Sequence, residues 1–172
     1  LERCVELLRD HKDVVLAHTE MVEIDEQGRI IRDLGWPIQN ADSSDAIKRF
    51  AGAIHMDHGC YDVFGLMRRT ALSQTRLIAP YLGSDRVLLA ELAMQGRLKR
   101  VDEVLFQSRE HPQRSIRMES DSARDQWFAS GRPNARFRPG WRRLGAVRQA
   151  VRSSDLGLIQ KLRCQGEIAR WS

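Results

Sequence analysis

The stretch GSDRVLLAELAMQG, residues 83–96, predicts a short loop that turns directly into a helix. Gly83 interrupts the preceding segment, and Ser84 is a suitable N-cap because its hydroxyl can accept a hydrogen bond from a free N–H group of the first turn. Apolar residues then recur at helical spacing, which predicts a face packed on a core: Leu88, Leu89, Leu92 and Ala93. Gly96 stands where such a helix would end.

Asp85 falls in the first turn of this predicted helix, where the helix macrodipole favours a negative charge. The pattern alone leaves two interpretations open. In the more common one, such an acid only stabilises the helix end. In the other, Asp85 is presented from the helix N-terminus into a cleft, where it acts as a general base. The neighbouring segments have to decide between them.

The charge of the chain is divided unevenly along its length. The chain has 172 residues, of which 42% are hydrophobic and 30% charged, an ordinary globular balance with room for a sizeable core. Residues 1–113 hold 15 Lys and Arg against 18 Asp and Glu, a net charge of −3. Residues 114–172 hold 13 against 5, a net charge of +8. We therefore expect two parts, a body at 1–113 and a basic helical extension at 114–172 with an anionic partner.

Several classes of protein are disfavoured by what the sequence lacks. Cys4, Cys60 and Cys164 are far apart, with neither zinc spacing nor a disulfide framework, which favours a reducing compartment. No signal peptide, membrane-spanning run, Walker A loop, dinucleotide-binding glycine motif, HExxH or GxSxG is present. The opening segment LERCVELLRD already has a helical pattern and no initiator Met, so we expect the chain to be part of a longer protein.

Alternating strands and helices predict an α/β domain with a layered sheet. Residues 14–18, 60–67 and 98–106 are the expected strands of one sheet, because each is largely apolar, and the helix at 84–95 should pack on it. DEQG at 25–28 predicts a turn into a short return strand, and QSREHPQRS after the last strand predicts a loop. Further helices are predicted at 1–10, 44–55 (with Ser44 as its cap), 116–129, 140–152 and 155–171.

Three local patterns invite a functional interpretation. His55-Met56-Asp57-His58 could hold a metal, although its spacing is not a standard one. Arg109-Glu110-His111-Pro112 follows a predicted strand, where α/β proteins bind ligands. The extension mixes arginines with aromatic residues, which suits RNA, a membrane surface or a solvated helix face: Arg132, Arg136, Arg138, Arg142, Arg143, Arg148 and Arg152 with Trp127, Phe128, Phe137, Trp141 and Trp171.

Taken in order, four segments resemble the C-terminal half of a family 2 glycosyltransferase with the GT-A fold. They are LERCVELLRDHKDVVLAHTEMVEIDEQGR, HGCYDVFGLMRRTAL, GSDRVLLAELAMQGRL and VDEVLFQSREHPQRS. The first is similar to the helix, strand and turn after the family's metal-binding acidic motif. The second is similar to a glycine-containing loop and strand that line the active site. The third and fourth are similar to the segments that carry the catalytic acid and a late histidine. The resemblance implies a partial GT-A mixed sheet with flanking helices.

The resemblance also implies roles for individual residues. Asp85 would be the catalytic base, taking the proton of an acceptor hydroxyl as that oxygen attacks the anomeric carbon with inversion. His111 would help hold a metal or the diphosphate, while Gly59, Ser84 and Arg109 would lie against the donor or substrate. Ser84 departs from the family, which usually has Glu at that position. The Asp-x-Asp pair that holds Mg²⁺ or Mn²⁺ would lie upstream of Leu1, so residues 1–172 alone should be inactive.

The resemblance further implies the partners of the chain. They are a nucleotide-sugar donor and an acceptor of unknown chemistry, with a lipid-linked one as a candidate. The basic extension adds an anionic membrane surface, and nucleic acid is not expected as a partner of the enzyme. The location would be cytoplasmic, with peripheral attachment to the inner membrane face as a variant. The alternative is a non-catalytic binding module that uses its basic tail on nucleic acid or anionic membrane.

Overall fold

The computed structural model of the chain describes residues 1–35, 38–55, 59–111, 120, 123–124 and 139–171. These residues form a mixed α/β structure, which confirms the predicted class. In chain order the elements are α1 Glu2–Asp10, β1 Val14–Ile24, β2 Ile30–Asp33, α2 Ala46–His55, a 3-10 helix Tyr61–Phe64, β3 Leu66–Met67, α3 Arg69–Leu72, α4 Ser84–Gln95, β4 Arg97–Arg109, α5 Pro139–Ser153 and α6 Leu158–Trp171.

The sheet is built around β1. Strand β4 pairs with β1 in parallel along its whole length, from Val14 opposite Arg97 to Ile24 opposite Arg109. Strands β2 and β3 pair with β1 antiparallel, over Val22–Ile24 and Leu16–Ala17 respectively. Because a strand has two edges and β4 occupies one of them, β2 and β3 share the other. The result is a four-stranded mixed sheet with β1 at its centre.

Helix α4 is the centre of the main core, as its sequence predicts. Nine of its twelve residues are buried, Ser84 and Glu91 among them, so the helix is covered on most sides instead of along a single apolar face. The core around it takes in residues from β1, β4, α2, α5 and α6: Leu16, Leu98, Phe50, Val147 and Ile168 among them. A second, smaller cluster lies between α1 and the sheet: Cys4, Leu8, Val14 and Ala17.

Both predicted serine caps are wrong. Ser84 is the first residue of α4 and is buried, while Gly83 is the N-cap, with φ +84° and no capping side chain. At α2 the cap is Asp45, whose Oδ1 accepts the N–H of Ile47 at 2.8 Å, and Ser43 Oγ in turn accepts the N–H of Asp45. A carboxylate is as good an N-cap as a hydroxyl, so the spacing alone could not rank Ser44 against Asp45.

The predicted strand at 60–67 is also wrong in most of its length. Tyr61–Phe64 form a 3-10 helix, and only Leu66–Met67 pair with β1. Cys60 has φ +56°, which turns the chain out of an extended path. Gly65 then passes so close to β1 that an added Cβ would lie 2.6 Å from Ala17 O. The loop predicted after residue 106 is wrong as well at its start, because β4 continues to Arg109.

Helices α5 and α6 pack against the body instead of extending away from it. Val147, Ala150 and Val151 of α5 and Cys164 and Ile168 of α6 are buried in the main core. His55 Nε2 lies 3.2 Å from Glu167 Oε2, which ties α2 to α6. The division at residue 113 stays a prediction. Among the described residues, no helix is long and apolar enough to cross a membrane.

Several predictions fall outside the described residues. They are Met56, Asp57 and His58 of the metal pattern, Pro112, most of the helix at 116–129, and six side chains of the basic extension: Arg132, Arg136, Arg138, Trp127, Phe128 and Phe137.

Candidate functional site

The N-terminus of α4 brings Asp85 to a junction of three segments. Asp85 lies near Cys60, which precedes the 3-10 helix, and near Arg143 of α5, since the charges of Asp85 and Arg143 both act on the Cys60 thiol. We call this meeting point of α4, Cys60 and Arg143 the Asp85 junction. Asp85 is half-buried there, and its Oδ1 accepts the N–H of Arg86 at 2.8 Å. A carboxylate at this end of a helix is favoured by the macrodipole. It can therefore serve as a proton acceptor for a group that enters from solvent.

Arginines surround the Asp85 junction. Arg86 follows Asp85 directly, and a Cβ placed on Gly83 would lie 3.2 Å from Cδ of Arg143, which reaches over from α5. The Arg143 guanidinium also lies over the ring of Trp171, 5.1 Å from its centroid. The Arg142 guanidinium lies over the ring of Tyr81, also 5.1 Å from the ring centroid. Guanidinium groups so placed can bind a phosphate or carboxylate beside the Asp85 carboxylate.

The cysteine at this junction is not a nucleophile. Burial, followed by the charge of Asp85, raises the pKa of the Cys60 thiol to about 12. Burial raises the pKa of Cys164 to about 11 and also raises that of Cys4. A thiol is reactive as its thiolate, so these three buried cysteines stay inert near neutral pH.

A buried His18–Asp62 pair lies beside the junction, and the sequence did not predict it. His18 Nδ1 is 3.2 Å from Asp62 Oδ1, and only 6% of the His18 side chain and 5% of the Asp62 side chain are exposed. The two atoms do not form a hydrogen bond. Burial lowers the pKa of His18, an effect that the nearby Asp62 carboxylate opposes and Arg100 reinforces. His18 is therefore neutral in the folded protein near pH 7.

We expect the free energy of unfolding to fall when the pH drops below the ordinary histidine pKa of 6.5. Below this pH the unfolded chain binds a proton at His18, whereas the folded protein keeps His18 neutral. The free energy of unfolding therefore falls by at most about 1.4 kcal/mol for each pH unit. Urea titrations over a pH series measure this dependence. His18→Gln should reduce the slope, whereas His111→Gln, at an exposed position, should leave it unchanged. Equal slopes in His18→Gln and the unchanged protein would contradict the prediction.

Gly59 immediately precedes Cys60 of the Asp85 junction. Gly59 is exposed, and a Cβ there would lie 2.4 Å from Cε2 of Tyr61. The hydroxyl of Tyr61 and the carboxylate of Glu110 both raise the pKa of Arg32, after the larger effect of its ion pair with Glu23.

Arg109 and His111 lie at and just beyond the carboxyl end of β4. Arg109 Nη1 donates to the carbonyls of Asp25 and Glu26, at 2.7 and 2.9 Å, so it clamps the turn between β1 and β2. His111 is exposed just beyond. The strand register places His18 opposite Arg100 and Ile24 opposite Arg109, six residues of β1 apart, or about 20 Å. The roles of Gly59, Ser84, Arg109 and His111 stay predictions.

The described residues do not by themselves make a metal site. Within them, no group of three or more His, Cys, Asp and Glu side chains is arranged to hold a metal ion. His111 could supply one ligand, but a single imidazole does not hold Mg²⁺, which prefers carboxylate oxygens. The prediction that the main Mg²⁺ or Mn²⁺ ligands lie upstream of Leu1 stays a prediction.

A cavity of about 650 Å³ lies elsewhere, between α3, α4 and the end of α5. Two of its charged side chains are engaged within the protein. Arg68 donates to the carbonyls of Val14 and His11, at 2.7 and 2.8 Å, and Glu91 accepts from Arg76 at 2.7 Å. These contacts join segments of the fold.

Comparison of the chain with protein-family models, with curated proteins and with solved structures gives no match.

Proposed function

We propose that the chain is the acceptor-side part of a GT-A glycosyltransferase, which transfers a sugar from a nucleotide-diphospho-sugar to an acceptor hydroxyl with inversion. The observation that carries the proposal is the placement of Asp85. Its carboxylate stands at the N-terminus of the central helix α4, half-exposed, with the Arg86 N–H on one oxygen. The order of segments that resembles family 2 supports the same assignment.

The proposed reaction needs one basic oxygen and a separate place for negative charge. Asp85 accepts the proton of the acceptor hydroxyl while the acceptor oxygen forms a bond to the anomeric carbon. The bond from that carbon to the diphosphate oxygen breaks, and its electron pair leaves with the nucleoside diphosphate. The arginines near Gly83 are suited to an anionic group of donor or acceptor. A divalent cation would neutralise the departing diphosphate, with ligands that the described residues do not supply alone.

The proposal is tested with the natural protein that contains residues 1–172. Release of nucleoside diphosphate is measured with uridine, guanosine and thymidine diphospho-sugars, with Mg²⁺ or Mn²⁺ present and with candidate acceptors added. We expect release with one donor class, stimulated by an acceptor hydroxyl. Residues 1–172 alone are expected to transfer no sugar. A natural protein that neither binds nor turns over any of these donors would refute the proposal in favour of a non-catalytic binding module.

A further inference from the structure

Helix α6 is apolar on two opposite sides. One side is fully buried in the main core through Cys164 and Ile168. The other side is open to solvent, with Leu158, Ile159 and Leu162 exposed by 75%, 76% and 63%. An amphipathic surface helix normally has polar residues on its outer side. Three large aliphatic side chains on the outer first turn of α6 therefore require an explanation.

The three side chains form one patch, which we call the α6 tip. At about 100° per residue, Leu158, Ile159 and Leu162 fall within about 100° of the helix circumference. Lys161 and Arg163 fall on the two flanks of this arc. The end of α5 adds the exposed Arg152 nearby, since Lys161 Nζ donates to the carbonyl of Arg152 at 3.0 Å. The α6 tip is thus an apolar patch with three cations beside it: Lys161, Arg163 and Arg152.

The charge near the α6 tip is a small positive excess. Residues 139–171 contain seven Lys and Arg against two Asp and Glu, but Arg142, Arg143 and Arg170 belong to the opposite end of the α5–α6 pair. Of the two acids, Glu167 pairs with His55 and Arg170 towards the other end of α6. Asp155 lies in the connection between α5 and α6. Arg163 has a loose ion pair with Asp45, with the charged atoms 3.7 Å apart.

We propose that the α6 tip docks into the interfacial region of an anionic lipid bilayer. Leu158, Ile159 and Leu162 enter the boundary between headgroups and acyl chains, and the surrounding Lys and Arg contact the anionic headgroups. A protein partner fits less well, because a standard protein interface uses about 20 to 30 residues on each side. The inference rests on α5 and α6 alone and is independent of the chemistry at Asp85.

Co-sedimentation with vesicles tests the inference. The vesicles are phosphatidylcholine alone, or phosphatidylcholine with about one-third phosphatidylglycerol. We expect binding to the anionic vesicles, weakened by salt, and little binding to the neutral ones. The triple variant Leu158→Ser, Ile159→Ser, Leu162→Ser should lower the partition coefficient at least about tenfold. Arg152→Gln should lower it about fivefold, because each cation near an anionic surface adds that much.

Trp141→Ser supplies the matched control. Trp141 is also strongly exposed, at 65%, but it belongs to the start of α5. Because Arg143 of that end covers Trp171 at the end of α6, Trp141 lies at the opposite end of the α5–α6 pair from Leu158. Its replacement should change the partition coefficient less than about twofold if the α6 tip is the point of entry.

Three results would overturn the inference. One is equal binding to neutral and anionic vesicles. Another is a triple variant that binds anionic vesicles as well as the unchanged protein does. The third is a protein that does not bind vesicles but forms a dimer in analytical ultracentrifugation, and a triple variant that no longer forms this dimer. The α6 tip would then be an interface between two copies. Melting curves of all variants establish that each one folds.

Discussion

Replacing Asp85 with Asn is expected to lower the turnover number of the natural protein at least about a hundredfold, with little loss of donor binding. Asn has the same shape, and its side-chain oxygen can still accept the Arg86 N–H that Asp85 Oδ1 accepts at 2.8 Å. The substitution removes only the basic oxygen. Steady-state kinetics with saturating donor and acceptor measure the turnover number, and equilibrium titration with the donor measures its binding.

Asp45→Asn provides a matched control for this experiment. Asp45 is also an acid at a helix N-terminus, where its Oδ1 accepts the Ile47 N–H at 2.8 Å. Asn is an equally good N-cap but lacks the charge that faces Arg49 and Arg163, so the variant should retain its turnover and lose at most about 1 kcal/mol of stability. If Asp85 is only a helix-end charge, then Asp85→Asn should behave in the same way and cost at most about 1 kcal/mol of stability. A natural protein with most of its turnover left would refute Asp85 as the base.

Much of the backbone follows from local patterns in the sequence. VVLAHTEMVEI is rich in strand-forming residues and precedes a turn signal, and it forms β1 followed by the β1–β2 turn. The apolar run bounded by Gly83 and Gly96 forms α4. These segments were predictable because both their periodicity and their end signals lie within about a dozen residues. Where the apolar character of 60–67 was the only signal, the prediction failed.

The arrangement around the site depends on contacts that no local pattern contains. Asp85 was selected from its place in a helix sequence. Asp62 and His18, in contrast, form a pair although they lie 44 positions apart in the chain. A histidine inside the apolar run of β1 was the only available signal for this pair. The reach of Arg143 from α5 to Gly83 likewise depends on how the C-terminal helices fold back. Such contacts depend on tertiary packing, so the spacing of residues in a single sequence does not predict them.

Arg49 is the clearest case of a contact that the sequence hides. It lies in the predicted helix at 44–55 as one charged residue among several, yet only 5% of it is exposed. Its Nε donates to the carbonyl of Ala93 at 2.8 Å, in the last turn of α4. Its Nη1 donates to the carbonyls of Ser43 and Ser44, at 2.8 and 3.1 Å. Burial lowers the pKa of Arg49, an effect that the Asp45 carboxylate opposes.

Arg49→Met is therefore expected to lower the free energy of unfolding by about 3 kcal/mol, because Met fills much of the space but leaves three carbonyls without their donor. For a chain of this size the loss corresponds to a fall in melting temperature of about 6–12 °C. Arg49→Lys should lower the free energy of unfolding by less than Arg49→Met does, because one ammonium group can donate to some but not all of the three carbonyls. Arg148→Met, at an exposed position on α5, is the matched control and should change stability by less than about 0.5 kcal/mol. If thermal unfolding followed by circular dichroism gives Arg49→Met and Arg148→Met the same melting temperature, then Arg49 does not hold α2 to the end of α4.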